Sequence, residues 1–271
     1  MRHGSMKVGA LLAAAVLALG ACGSDDETSG GGSAAKAETD VGLIKDGEIV
    51  TCTHLPYEPF QFEQGGKIVG FDVDIIDLVA KKLGVKQSIV DTPFEGIQSG
   101  EDLNSRKCDI AAAAMTITPE RQEKIAFSSP YFDANQALLV KKDSGVSSLD
   151  DLTGKTLGVQ SGTTGKIYAE KNAPKGVELK DYEDLALELS SVKSGQIPAA
   201  VNDIPVLLDY VKKNPDLEVA AQFETGEQYG FGMKKGTSEK LEQAVNDVIK
   251  AAKADGTYDK IYEKWFGAKP E

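Results

Sequence analysis

Cysteine, histidine and tryptophan are scarce: the 271 residues hold three Cys, two His and one Trp. So few cysteines exclude a disulfide-dense scaffold, and a chain of this length can bury a hydrophobic core without one. His3 lies in the N-terminal leader and His54 stands alone beyond it, so a Ser–His nucleophile has few ways to form. Metal ligands are equally short, since Cys52 and His54 make a lone Cys-x-His pair. No Gly-x-Ser-x-Gly turn occurs. A phosphate loop is excluded as well: in the stretch 160–167, Gln160 stands where its first Gly belongs and Ile167 where Ser or Thr is required. No cofactor is expected. Basic residues are outnumbered, 30 Lys and Arg against 42 Asp and Glu, and a net charge of −12 argues against a nucleic-acid partner.

Long apolar runs are also missing. The most apolar stretch, Val8 to Leu19, would span roughly 18 Å as a helix, against a hydrocarbon core of about 30 Å. With Arg2 and Lys7 before it, it reads as a secretion signal over residues 1–21. Leu19-Gly20-Ala21-Cys22 resembles the lipobox of bacterial lipoproteins, which implies acylation (palmitate or a similar chain) of Cys22 and an extracytoplasmic protein anchored to the membrane surface. A tether is expected over residues 22–47, because Asp25 to Asp40 is Gly-, Ser- and acid-rich without an apolar period. In such a compartment Cys52 and Cys108 could pair, and the spacing alone leaves this open.

What the chain does contain is organised around Ala111 to Tyr131, AAAAMTITPERQEKIAFSSPY. Ile110 to Met115 suits a buried strand. Thr118 can cap a following helix, Pro119 fits its first turn, and Arg121 then falls at the third helical position. Ligands of open α/β sheets bind at the carboxyl ends of strands, so a guanidinium stands where a carboxylate would arrive. Before this stretch, strands at Glu48–Thr53 and Gln87–Val90 alternate with a helix that Asp72 is placed to cap and Gly84 to end. A second α/β set restarts at Ala137, and the last segment, from Tyr229, is too short for a domain and should pack back on the first. Lobe 1 is therefore expected over 48–135 and 228–271, and lobe 2 over 136–227. Two crossovers make a hinge with a cleft between the lobes.

TITPERQEKIAFSSPY, together with GFDVDIIDLVAKKLG (70–84) and GTYDKIYEKWFG (256–267), resembles the family 3 extracellular solute-binding proteins, the polar amino-acid receptors of ABC importers. The resemblance covers about Ile49 to Phe266. It implies a two-lobe periplasmic-binding-protein-like α/β fold (type II), a monomer, and a free polar amino acid handed to an ABC permease. Arg121 would take the ligand carboxylate, helped by Thr164 and the N–H groups of the Ser161–Gly165 turn. Thr116 and the backbone of Ala114 would hold the ligand from lobe 1. Asp203, following Asn202 at the end of the Ala199–Val201 strand, would take the ammonium. Tyr57 and Phe94 match the aromatic walls. His54 falls where relatives with basic or amide ligands often carry Asp, and Gln160 and Glu58 are further candidates for reading the side chain.

The same fold resembles cyclohexadienyl dehydratases, in which a Glu replaces the ammonium-binding Asp; Asp203 at that position favours a receptor over an enzyme. A sensor without transport is a third reading, which gene neighbours encoding a permease and an ATPase would separate from an importer's receptor.

Overall fold

The computed structural model describes residues 41–270; the leader, Cys22 and the tether as far as residue 40 lie outside this range. Along the chain come β1 (Glu48–Thr53), a hairpin of β2 (Phe62–Gln64) and β3 (Lys67–Val69), then β4 (Lys86–Asp91), β5 (Ile110–Ala111) and β6 (Ile125–Phe127). β7 (Phe132–Lys141), β8 (Thr156–Gln160), β9 (Glu178–Tyr182), β10 (Ala199–Asp203), β11 (Leu217–Tyr229) and β12 (Gly232–Lys234) follow. They form two five-stranded sheets, ordered β4-β1-β5-β12-β6 and β11-β7-β10-β8-β9. β1, β4 and β5 run parallel, and β12 runs antiparallel to both its neighbours, β5 and β6. In the second sheet β10, β8 and β9 are parallel, and β7 runs antiparallel to both its neighbours, β10 and β11. Both sheets carry helices, which gives a two-lobe α/β fold of type II.

β7 and β11 join the sheets. They pair from Phe132–Tyr229 to Lys141–Leu217, with irregularities between Val219 and Ala221 and between Phe223 and Glu227. At the second irregularity Asn135 Oδ1 accepts from the N–H groups of Thr225 and Gly226, both at 2.9 Å. A bulge leaves backbone groups unpaired, and this side chain satisfies two of them at the crossover.

The C-terminal segment returns to the first sheet. Helix Glu239–Asp255 buries Leu241, Val245, Val248 and Ile249, an i, i+4, i+7, i+8 face. That face packs with Ile75, Ile76 and Val79 of helix Phe71–Leu83. Each such aliphatic side chain contributes about 1.5–3 kcal/mol when fully buried. Tyr258 Oη donates to Tyr131 O at 2.6 Å, tying the last helix to the crossover.

Several expectations need correcting. Residues 41–47 are not tether: Val41 is buried in the core and Ile44 N donates to Asp109 Oδ1 at 2.7 Å. Asp72 does not cap its helix, which begins at Phe71 after Gly70, because its carboxylate is buried and used elsewhere. Gly70 stands at φ 144, where a Cβ would lie 2.0 Å from Phe60 O, so a glycine is required. The strand expected over Ile110–Met115 stops at Ala111, and the remaining alanines form a turn in which Ala114 has φ 47. The stretch Tyr229 to Met233 is split between β11 and β12.

Cys52 on β1 and Cys108, just before β5, are joined in a disulfide, with Cα atoms 5.6 Å apart. No helix among the described residues is long and apolar enough to cross a membrane.

Candidate functional site

Helix Pro119–Lys124 begins as its sequence dictates. Thr118 Oγ1 accepts from Arg121 N at 3.2 Å and Pro119 occupies the first turn. This directs the Arg121 side chain inward, where it is 6 % exposed. Its Nη1 donates to Thr116 O at 2.7 Å and its Nη2 to Gly162 O at 2.9 Å, one acceptor from each lobe's segment. Gly162 presents that carbonyl from a turn at φ 73. The guanidinium also lies 5.5 Å from the Phe94 ring centroid, within cation–π range. Burial lowers the Arg121 pKa, and the carboxylates of Asp203 and Glu227 oppose that shift.

Asp203 ends β10 and heads helix Ile204–Lys213 without capping it, so its carboxylate is free for other partners. The hydroxyls of Tyr57 and Tyr229 and the Gln136 amide donate to it. Its pKa is pushed up to about 6, first by burial and then by the charge of Glu227, against the pull of those three donors.

Arg121 and Asp203 line one small cavity with His54, Tyr57, Phe94, Ala114, Thr116, Gln160 and Thr164. The cavity volume is about 20 Å³, room for about one water molecule. Asn202 stands one layer behind it, where its Oδ1 accepts from Tyr57 Oη at 2.9 Å. Glu58 is not in the lining and pairs instead with Lys213. His54 faces acceptors on both ring nitrogens, with Thr92 O 3.0 Å from Nδ1 and Asp184 Oδ1 3.1 Å from Nε2.

The turn before helix Thr164–Asn172 is built by Thr163, whose Oγ1 accepts from Lys166 N at 3.2 Å and donates to Gln160 O at 2.7 Å. Ala114 owes its place to Asp72: Asp72 Oδ2 accepts from Ala114 N and Oδ1 from Tyr131 Oη, both at 2.8 Å. Burial pushes the Asp72 pKa up to about 7.

Sequence reasoning missed four polar groups. Glu227, on the crossover strand, accepts from Thr116 Oγ1 at 3.1 Å, Thr164 Oγ1 at 2.6 Å and Gln136 Nε2 at 3.1 Å. The two threonine hydroxyls expected to serve a ligand, Thr164 on its carboxylate and Thr116 from lobe 1, therefore already serve this side chain. Gln136 and Gln61 were missed because neither belongs to a motif. Glu188 sits at 0 % exposure on helix Leu185–Ser194, with Oε2 accepting from Asn202 Nδ2 at 2.8 Å. Its pKa is pushed up to about 8, chiefly by burial and further by the charge of Asp203, while the Asn202 bond opposes the shift. A Glu at a core-facing helical position was the available signal.

A cavity that brings a buried Arg121 and a buried Asp203 together between two α/β lobes, joined by paired crossover strands, defines a binding protein of the two-lobe periplasmic type. The chain belongs to the bacterial extracellular solute-binding proteins, family 3, which its residues 49–268 match. It is similar to the L-cystine-binding protein TcyJ of Escherichia coli (strain K12), at 34 % identity over 245 residues, 88 % of this chain and 91 % of that one. Among solved structures it resembles an ancestral arginine-binding protein bound to glutamine, with TM-score 0.77 and 42 % identity over 82 % of this chain and 99 % of that one. It also resembles the ancestral amino acid-binding protein AncCDT-1, a precursor of cyclohexadienyl dehydratase, with TM-score 0.73 and 40 % identity over 81 % and 95 % of the two chains. These relatives are binding proteins, and no residue here is assigned a catalytic role.

Proposed function

We propose that this protein captures a free polar amino acid between its lobes and delivers it to an ABC importer, held at the extracytoplasmic face of the cell membrane by a lipid on Cys22. The relatives named above bind amino acids, and the leader and Cys22 supply the export and anchoring signals. One observation carries the reading: a buried Arg121, from helix Pro119–Lys124 of the first lobe, and a buried Asp203, from β10 of the second, reach the same cavity. An unpaired buried charge costs several kcal/mol, and a zwitterion supplies a partner of each sign at once.

Capture works by closure. The cavity is too small for an amino acid as it stands, so the ligand enters when the lobes part about β7 and β11. Arg121 and the turn at Ala114 hold it from the first lobe; Thr164 and Asp203 close on it from the second. Exclusion of water strengthens both charge pairs. The closed form is then presented to the permease.

Calorimetric titration of Arg121→Ala and Asp203→Ala against the twenty amino acids tests this. Both variants should lose binding while keeping the parent circular dichroism. Hydrogen bonds to charged groups contribute about 1.5–3 kcal/mol each, so the losses are measurable. Unchanged affinity in both variants refutes the site.

A further inference from the structure

Resting on the amino-acid reading above, we infer that Glu227 is a built-in competitor of the ligand's α-carboxylate: it holds the hydroxyls of Thr116 and Thr164, and an amino acid takes them by displacing it. Thr116 of the first lobe and Thr164 of the second both line the cavity. Their hydroxyls donate to one atom, Glu227 Oε2, at 3.1 and 2.6 Å. Gln136 Nε2 donates to the same oxygen at 3.1 Å. A hydroxyl has a single proton, so a threonine that donates to Glu227 has none left for a ligand. A second carboxylate brought against Glu227 would also set like charges side by side where little water can screen them. The two carboxylates therefore exclude one another at the threonines.

Of Glu227 and Asp203, Glu227 is the one able to leave. Asp203 is 5 % exposed and is held by Tyr57, Tyr229 and Gln136. Moving it would strand a buried charge, which is costly. Glu227 is only partly buried. It stands on β11 directly after the irregularity that begins at Phe223, and it follows Gly226, which has φ 65. Turned outward, its carboxylate meets water. Gln136 keeps an acceptor when that happens, because the same Nε2 also donates to Asp203.

A competitor carried on the chain acts at every ligand concentration. Apparent affinity is then the intrinsic affinity scaled by the fraction of molecules whose threonine hydroxyls are free. Glu227 also reaches the other end of the site: after burial, its charge is the cause that raises the Asp203 pKa. One residue on the crossover strand thus weakens the hold on both charges of a zwitterion.

Calorimetry of the full chain decides the matter, with the tightest-binding of the twenty common amino acids and its α-amide as probes. The amide keeps the ammonium and the side chain but carries no carboxylate charge. Glu227→Gln keeps the shape and removes the charge; it should tighten the amino acid about tenfold and leave the α-amide within about threefold. Glu227→Ala frees both hydroxyls, should tighten the amino acid as well, and serves alone if the first variant fails to fold. In either variant the acid limb of the affinity profile should move to lower pH. Asp203 loses a like-charged neighbour there, while Arg121, Glu188 and the hydroxyls of Tyr57 and Tyr229 still face it. A merely structural role would leave that limb in place. Unchanged or weaker binding of the amino acid in the variants that fold, or an equal gain by the amide, overturns the inference and makes Glu227 a brace between the lobes. Binding of no amino acid by the parent chain overturns the proposed function instead, a separate result.

Discussion

The Tyr57 hydroxyl donates to Asp203 Oδ2 at 2.8 Å, joining residues 146 positions apart and bridging the two lobes. Tyr57 follows β1 of the first sheet and Asp203 ends β10 of the second. The contact is both a lobe-to-lobe bond and a satisfied partner for the acid proposed to hold an ammonium. A ligand must therefore share or displace it.

Tyr57→Phe keeps the aromatic wall and deletes the hydroxyl. A bond to a charged group contributes about 1.5–3 kcal/mol, and part of it is replaced by the ligand, so amino-acid affinity should fall about tenfold. Tyr57→Ala removes the ring area too and should bind more weakly still. Titration calorimetry on both variants checks the order; equal affinities would contradict it.

Binding should weaken in acid. Asp203 stands at about 6, and it must be ionised to pair with an ammonium. Below that pH the carboxyl must first release a proton, so affinity should drop towards tenfold per pH unit. Affinities measured from about pH 8 down to about pH 5 test this, and a flat profile would remove Asp203 from the ammonium site.

Stability should run the other way with pH. Asp72 and Glu188 are raised in the folded protein to about 7 and about 8, from ordinary values of 3.8 and 4.5. The folded state therefore binds protons more tightly than the unfolded chain. Their contribution is complete below about pH 4 and disappears as pH rises towards those raised values. The melting temperature should be higher near pH 5 than near pH 8. Asp72→Asn should flatten that slope, and it should also weaken ligand binding, because Asp72 holds the Ala114 N–H in the cavity wall. Differential scanning calorimetry at the two pH values reads the first effect.

Replacing both Cys52 and Cys108 by Ala should reduce unfolding stability by about 2–5 kcal/mol without altering ligand specificity. The pair links β1 to the segment before β5, and neither cysteine lines the cavity. Chemical denaturation of parent and variant measures the loss, and a change in amino-acid preference would show that the bond does more than brace the sheet.

Much of this site could be read from local pattern. Thr118 and Pro119 announce a helix start, so Arg121 could be placed at the mouth of a strand before any contact was known. The strand-to-helix turns at Thr164 and Asp203 were legible for the same reason. Asp72 was misjudged because an acid two residues after a glycine looks like a cap, whereas burial against Ala114 and Tyr131 decides its role. Strand β11 went unseen since its polar, alternating residues match a half-exposed crossover only when β7 lies beside it.

By itself, the sequence determined the alternation of strands and helices and the placing of Arg121 and Asp203 at the mouths of strands, because each depends on neighbours within a few residues. Only the tertiary structure decided that Glu227 caps both threonines, that Glu188 stands behind Asn202, and that Tyr57 reaches Asp203. Those contacts join residues 14 to 146 positions apart, and three of the four cross between segments that no local rule brings together. Chain topology and burial place them, and a buried polar group must find whatever partner the fold puts within reach.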